Sequence, residues 1–269
     1  MSNCAFLQLL TTQNDIYGRH NCPVVFRCEL YSDENIDDGS LEYLDSKPKG
    51  VSEVKMIPDE PILPNGRAVL GFDMVNHKPE NFNQFIPLED GLKKIYKILE
   101  TIIKSNIYIA GFGLKRNVFN ILNDSFKRVL NLEPPEFPVE RTMDVLHYAI
   151  AKIPVEQIGA YTIESLQTYF NLEETDEKTA KNQLFAIRNI FMQLTAIDSD
   201  WKFDEVMNSI SKTTKIESFS IGKYKGVKIR DVMKEDQQYC RWFLANASKY
   251  DNAQLIAEKL KELFNNEET

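Results

Sequence analysis

The residues of this chain best placed to grip a ligand lie near its C-terminus, where Lys223, Lys225 and Lys228 alternate with Tyr224, Gly226 and Val227. An ammonium group holds a backbone phosphate, and an aromatic face stacks on a base of a single strand. On an extended hairpin turned at Gly226 the three lysines would share one surface, with Tyr224 or Trp242 as the stacking ring. The structural alternative makes Tyr239, Trp242 and Phe243 the core of a small unit and the lysines ordinary solubilising charge.

Side chains that could run hydrolysis are scattered by contrast. His20, His77 and His147 are too dispersed for a cluster, and His147, on an apolar helical stretch, reads as a hydrogen-bonded core residue. Gly111 and Gly113 flank Phe112 without the rest of a GxGxxG phosphate loop. No Ser-His-Asp or Cys-His arrangement is visible. The four cysteines, at 4, 22, 28 and 240, lack CxxC spacing and the density of a disulfide framework, so they read as reduced thiols.

The elements that must position these groups follow from periodicity. Residues 4–10 and 23–30 are apolar runs of the buried-strand type, 51–57 reads as a further strand, and 107–110 opens onto Gly-Phe-Gly. Helical spacing predicts helices over 88–103, 115–130, 142–150, 162–170 and 177–197. Strands followed by alternating helices imply an α/β mixed sheet of about five strands with helices packed on it. Residues 31–50 read as a polar loop. After Trp201 the composition changes. Residues 203–215 read as a connecting helix and linker, and 251–267 as a closing helix.

With 269 residues and 43% hydrophobic residues, the chain can bury one sizeable core and a smaller second one. We expect a domain over 1–200, a linker over 201–215 and a basic module over 216–269. A net charge of −8 excludes coating nucleic acid through overall charge, so any basic patch is local. Between Ile216 and Tyr250 there are seven Lys or Arg against four acids. The acidic stretch from Glu29 to Asp45 reads as a solvated loop, with a protein-partner segment as the alternative. The N-terminus lacks a signal-peptide pattern and no apolar run suits a membrane span, which points to a reducing, cytoplasmic setting.

Several short segments, in this order, resemble the DnaQ-like (DEDD) 3′–5′ exonuclease superfamily over roughly residues 4–197. Ala5–Gln13 (AFLQLLTTQ) is similar to its opening strand, and residues 57–82 to its proline-flanked segment. YIAGFGLKRNVFNIL (108–122) stands where the family has its strand-to-helix step. TMDVLHYA (142–149), YTIESLQTYFNL (161–172) and the helix after DEKTAKNQ (176–183) match its closing half. Separately, Phe219–Leu244 (FSIGKYKGVKIRDVMKEDQQYCRWFL) resembles the small module attached to exodeoxyribonuclease X-type enzymes. The resemblance implies a ribonuclease H-like mixed sheet flanked by helices, plus a small C-terminal module.

The family's chemistry uses two divalent cations held by four carboxylates. Carried over by position, those ligands become Gln8, Leu10, Arg116 or Asn117, and Asn182, and the general base becomes Glu177. Asp144 matches a position that is structural in the family. Other acids in the region, Asp15 and Asp73, would have to build a new site. The expectation is therefore an inactive exonuclease homologue, without cofactor, that binds DNA or RNA or a replication or repair partner. The binding residues would be Lys223, Tyr224, Lys225, Lys228 and Trp242. The alternatives are a divergent active exonuclease using Mg²⁺ or Mn²⁺, and a protein-binding scaffold that uses the acidic loop 29–45.

Overall fold

The structure is a computed structural model of the chain, and it describes residues 3–12, 21–32, 41–63, 70, 82–173, 179–212, 217–219, 221–247 and 253–267. Among the described residues six strands form one sheet: β1 (Asn3–Thr11), β2 (Pro23–Ser32), β3 (Gly50–Ile57), β4 (Ile86–Pro87), β5 (Tyr108–Gly111) and β6 (Thr142–Asp144), in the order β4-β3-β2-β1-β5-β6. β2 runs antiparallel to β1 and β3, whereas β5 is parallel to β1 and to β6. The first strand is therefore central. That explains its largely apolar run, broken only at Gln8, since a strand covered on both faces needs no polar alternation.

Alternate residues of β1 feed two cores. Cys4 and Phe6 face one layer, built by Leu146 and Tyr148 of α3 (Val145–Lys152), Leu166 of α5 (Ile163–Tyr169), and Leu184, Ile187 and Phe191 of α6 (Ala180–Ile197). The short helix α4 (Val155–Ile158) lies between α3 and α5. Ala5, Leu7 and Leu9 face the other layer. There α1 (Leu88–Lys104) contributes Leu92, Ile95 and Leu99 at helical spacing, and the helical stretch 114–130 contributes Leu122 and Phe126. The middle of that stretch is α2 (Asn120–Ser125), flanked by wider π-type turns at Leu114–Phe119 and Phe126–Leu130.

Several expectations need correction. The sheet has one more strand than expected, and Thr142–Asp144, predicted as helix, forms the sixth by pairing with Ile109–Gly111. Three residues carry too little period to betray a strand. The polar 31–50 segment is not simply solvated, because Leu41 and Leu44 are fully buried in the core. Glu29 is not part of a loop either: it is buried in β2, where its carboxylate accepts from Arg27 Nε at 2.8 Å and from the Tyr31 hydroxyl at 2.9 Å. Residues 33–40 lie outside the described residues.

Residues 203–212 form α7 (Phe203–Lys212), which is no tether. Phe203 and Val206 are buried in the core, and the Phe203 ring stacks on Tyr108 with centroids 4.0 Å apart. The C-terminal module comprises α8 (Ile229–Glu235), α9 (Gln237–Asn246) and α10 (Ala253–Glu267) around Phe219, Val232, Cys240, Phe243, Ile256 and Leu260. No helix among the described residues is long and apolar enough to cross a membrane. All four cysteines are buried and unbridged.

Candidate functional site

The positions that the resemblance marks for metal ligands gather at one end of the sheet. Gln8 and Leu10 are alternate residues on the same face of β1, toward the first turn of α6. That turn begins at Thr179, whose side chain accepts from the Asn182 backbone N–H at 3.2 Å as an N-cap. One residue on, Gln183 reaches β1, and the Gln8 Nε2 donates to Gln183 Oε1. Gln8 is 9% exposed, so this amide pair is sequestered between strand and helix. Leu10 is packed with Val24, Val25, Phe85 and Ala180, the last from the same first turn of α6.

The β5-to-helix step supplies the third element. Gly113 takes a left-handed φ of +62°, and a Cβ there would come within 2.5 Å of Asn117 Nδ2, so the Asn117 side chain lies against the glycine. Its own backbone N–H donates to the Gly113 carbonyl at 2.7 Å. Asp144 braces the step from β6: its Oδ1 accepts from Gly113 N at 2.9 Å and from Leu146 N at 3.0 Å, capping α3 as well. Burial pushes the Asp144 carboxyl above the usual range, against the pull of nearby His147 and of the N–H groups of Gly113, Leu146 and Leu114. Asp144 is thus a positioning residue. His147 is half-buried and engaged by its surroundings.

For Arg116 the structure describes the backbone only, and Glu177, Asp15 and Asp73 lie outside the described residues. Among the described residues, no three His, Cys, Asp or Glu side chains form a group that could hold a metal ion. A second polar cluster sits where β1 ends. The Thr12 hydroxyl accepts from Cys22 N at 3.0 Å, Cys22 Sγ contacts Asp59 Oδ1 at 3.2 Å, and Arg128 pairs with Asp59 at 2.6 Å. Burial pushes the Cys22 thiol up to about 12, against a bond from the Asp59 backbone that pulls it down and with the Asp59 carboxylate that pushes it further up, so it is a packed thiol and no nucleophile.

The lysine loop of the module differs from the expected extended hairpin. Among the described residues only isolated bridges form, Ser218 to Lys228 and Phe219 to Lys225, and both Gly222 and Gly226 take left-handed φ values of +82° and +84°. The lysines therefore point in separate directions. Lys223 pairs with Asp236 at 3.2 Å and lies 4.6 Å from the Tyr224 ring centre. Lys225 donates to the Gly159 carbonyl at 2.7 Å, and Lys228 is exposed at the N-terminus of α8. Tyr224 is half-buried against Phe219 and Tyr239 and donates its hydroxyl to Asp236 at 2.9 Å. The Tyr239 backbone N–H, then the Tyr224 hydroxyl and Lys223, hold the Asp236 carboxyl below its usual range. Trp242, considered as a core residue, is instead 48% exposed.

Two organising residues escaped the sequence reading. Gln183 has no signal beyond its place in a helix. Asp236 does have one, an acid directly before a helix, which is the preferred N-cap chemistry.

Residues 219–248 match the family model of the exodeoxyribonuclease X-like C-terminal region. Among solved structures, the chain is similar to E. coli exonuclease I in complex with a dT13 oligonucleotide, with a TM-score of 0.57 and 11% identity over 74% of this chain and 42% of that one. An exonuclease I structure described as suggesting how processivity is achieved gives a TM-score of 0.57 and 14% identity, covering 76% and 43%. An ExoI/SSB-Ct complex gives 0.56 and 12%, covering 76% and 43%. The chain thus spans less than half the length of these structures. No curated protein matches it. The likeness shows the fold: a ribonuclease H-like mixed sheet flanked by helices, as in exonuclease I, followed by a module of the exodeoxyribonuclease X-like type.

Proposed function

We propose that this chain is a non-catalytic homologue of the DnaQ-like exonucleases that binds nucleic acid, acting in a reducing compartment in replication or repair. The observation that carries the first half is the fate of β1. Where the family resemblance places two carboxylates, Gln8 spends its amide on Gln183 and Leu10 is closed into an apolar cluster with Val25, Phe85 and Ala180. Two hard cations need anionic oxygens, and a neutral amide with a hydrocarbon does not fit them.

Binding draws on the module. Exonuclease I is known in complex with a dT13 oligonucleotide and with SSB-Ct, and this chain shares its fold. Lys223, Lys225 and Lys228 are all solvent-facing, and Trp242 offers the exposed ring that Tyr224, tied to Asp236, does not. In this reading residues 1–200 form the exonuclease-fold domain, which α7 extends, and 216–269 the reader module.

The purified chain with Mg²⁺ or Mn²⁺ is expected to leave labelled single- and double-stranded DNA and RNA intact. Metal-dependent 3′–5′ trimming that disappears on mutating Glu177 or Asp15 would overturn the non-catalytic reading. Affinity for a single strand should fall with salt at a log-log slope of about −0.7 per phosphate contact. Replacing the three lysines by Ala should weaken binding to all sequences alike, and Trp242→Ala should cost about 1–3 kcal/mol if the ring stacks on a base. If the triple variant binds as well as the parent at low salt, the module reads no nucleic acid.

A further inference from the structure

The loop carrying the lysines is built as rigidly as a binding element, yet the ammonium of one of its exposed lysines, Lys225, is bonded to the rest of the chain at the Gly159 carbonyl. Backbone bonds pin it on both sides of Lys225: Lys225 N donates to Gly222 O at 3.2 Å, Gly226 N to Phe219 O at 2.7 Å and Val227 N to Tyr224 O at 2.9 Å. The left-handed Gly222 and Gly226 make this course possible, and at Gly222 a Cβ would collide with the Tyr239 hydroxyl.

The acceptor is equally fixed. Gly159 closes α4, its N–H donating to Val155 O at 2.7 Å. Around it the Tyr161 hydroxyl donates to Ile153 O at 2.5 Å, and the Tyr169 hydroxyl to Gln157 Oε1 at 3.0 Å. The Glu156 carboxylate lies 3.7 Å from where a Cβ of Gly226 would stand, so the glycine lets the loop backbone lie close to it. A lysine from a preorganised turn thus meets a carbonyl on a preorganised turn, next to an acid of opposite charge, and little ordering entropy is lost on contact.

We propose that the Gly222–Val227 loop is the docking surface of the C-terminal module on the exonuclease-fold domain, with Lys225 as the latch and the Glu156–Gly159 turn as its receptor. The proposal stands independently of nucleic-acid binding. Lys225 and Lys223 then have different tasks although they are two residues apart, since Lys223 is bound within the module to Asp236.

Amide hydrogen exchange on the full chain separates them. Lys225→Met and, from the other side, Glu156→Lys are each expected to speed exchange across residues 155–160 by about fivefold, the scale of a lost charge-assisted surface hydrogen bond. Cys240 and Phe243, inside the module, should stay protected in both variants. Lys225→Arg keeps the donor and should retain the parent rate at 155–160, and Lys223→Met should leave it unchanged. Parent-like exchange at 155–160 in Lys225→Met would overturn the proposal, and so would an equal effect from Lys223→Met.

Discussion

Leu10 tests how closed the end of β1 beside α6 is. It is 6% exposed, among apolar neighbours from β2, Phe85 and α6. Leu10→Glu places a carboxyl there without a partner and is expected to cost about 3 kcal/mol or more at pH 7, read from the denaturant midpoint. Burial raises the folded-state pKa of such a group, so the penalty grows as pH rises above the unfolded value and is small near pH 4. A midpoint unchanged at pH 7 would show that the position is hydrated. Asp144 offers a second test at this scale. Asp144→Ala leaves the Gly113 and Leu146 N–H groups without their acceptor, and about 2–4 kcal/mol should be lost in a urea melt.

Among elements, α7 shows most clearly how tertiary contacts override a reading from composition. It is held at its start by the Tyr108–Phe203 stack and at its base by Asp200, which accepts from Tyr148 and Ser209 at 2.8 Å each and pairs with Lys152 at 2.6 Å. Phe203→Ala should therefore cost about 3–5 kcal/mol. Burial works against ionised Asp200, but the bonds from Lys152, Ser209 and Tyr148 outweigh it and hold its carboxyl below the ordinary value. Its stabilisation is thus fully present above the unfolded carboxylate pKa and is lost as pH falls below about 4. Trp201 adjoins Asp200, and its backbone carbonyl accepts from Leu41 N at 2.9 Å. In a Trp242→Phe background, its fluorescence should shift in that acid range before the far-ultraviolet circular dichroism changes. Simultaneous loss of both signals would mean that α7 does not detach on its own.

At the scale of the whole molecule, two of the cores share one sheet, whereas the module has its own around Phe219 and Phe243. Residues on opposite faces of β1 cannot lose packing separately, but the module can. Phe243→Ala is expected to abolish exchange protection over residues 221–247 while α6 remains protected. Loss of protection in α6 as well would mean that the two units fold as one. The net charge of −8 also acts at this scale: it repels phosphate at long range, so only the local lysines can supply attraction, and salt should screen both effects.

The sequence by itself determined what depends on near neighbours along the chain. The central strand was legible from the mostly apolar run of residues 4–10, α1 and α6 from their apolar period, and the basic character of the module from its lysines, because burial repeats with the local backbone period. Tertiary structure alone decided which distant residues meet. Gln8 and Gln183 are 175 residues apart, and Lys225 and Gly159 are 66 apart. No local period encodes such pairings, since they arise from how the sheet, α6 and the module pack once formed. The same physics turned residues 142–144 from predicted helix into strand: three residues have almost no preference of their own, and the free edge of β5 supplied the hydrogen bonds that settled it.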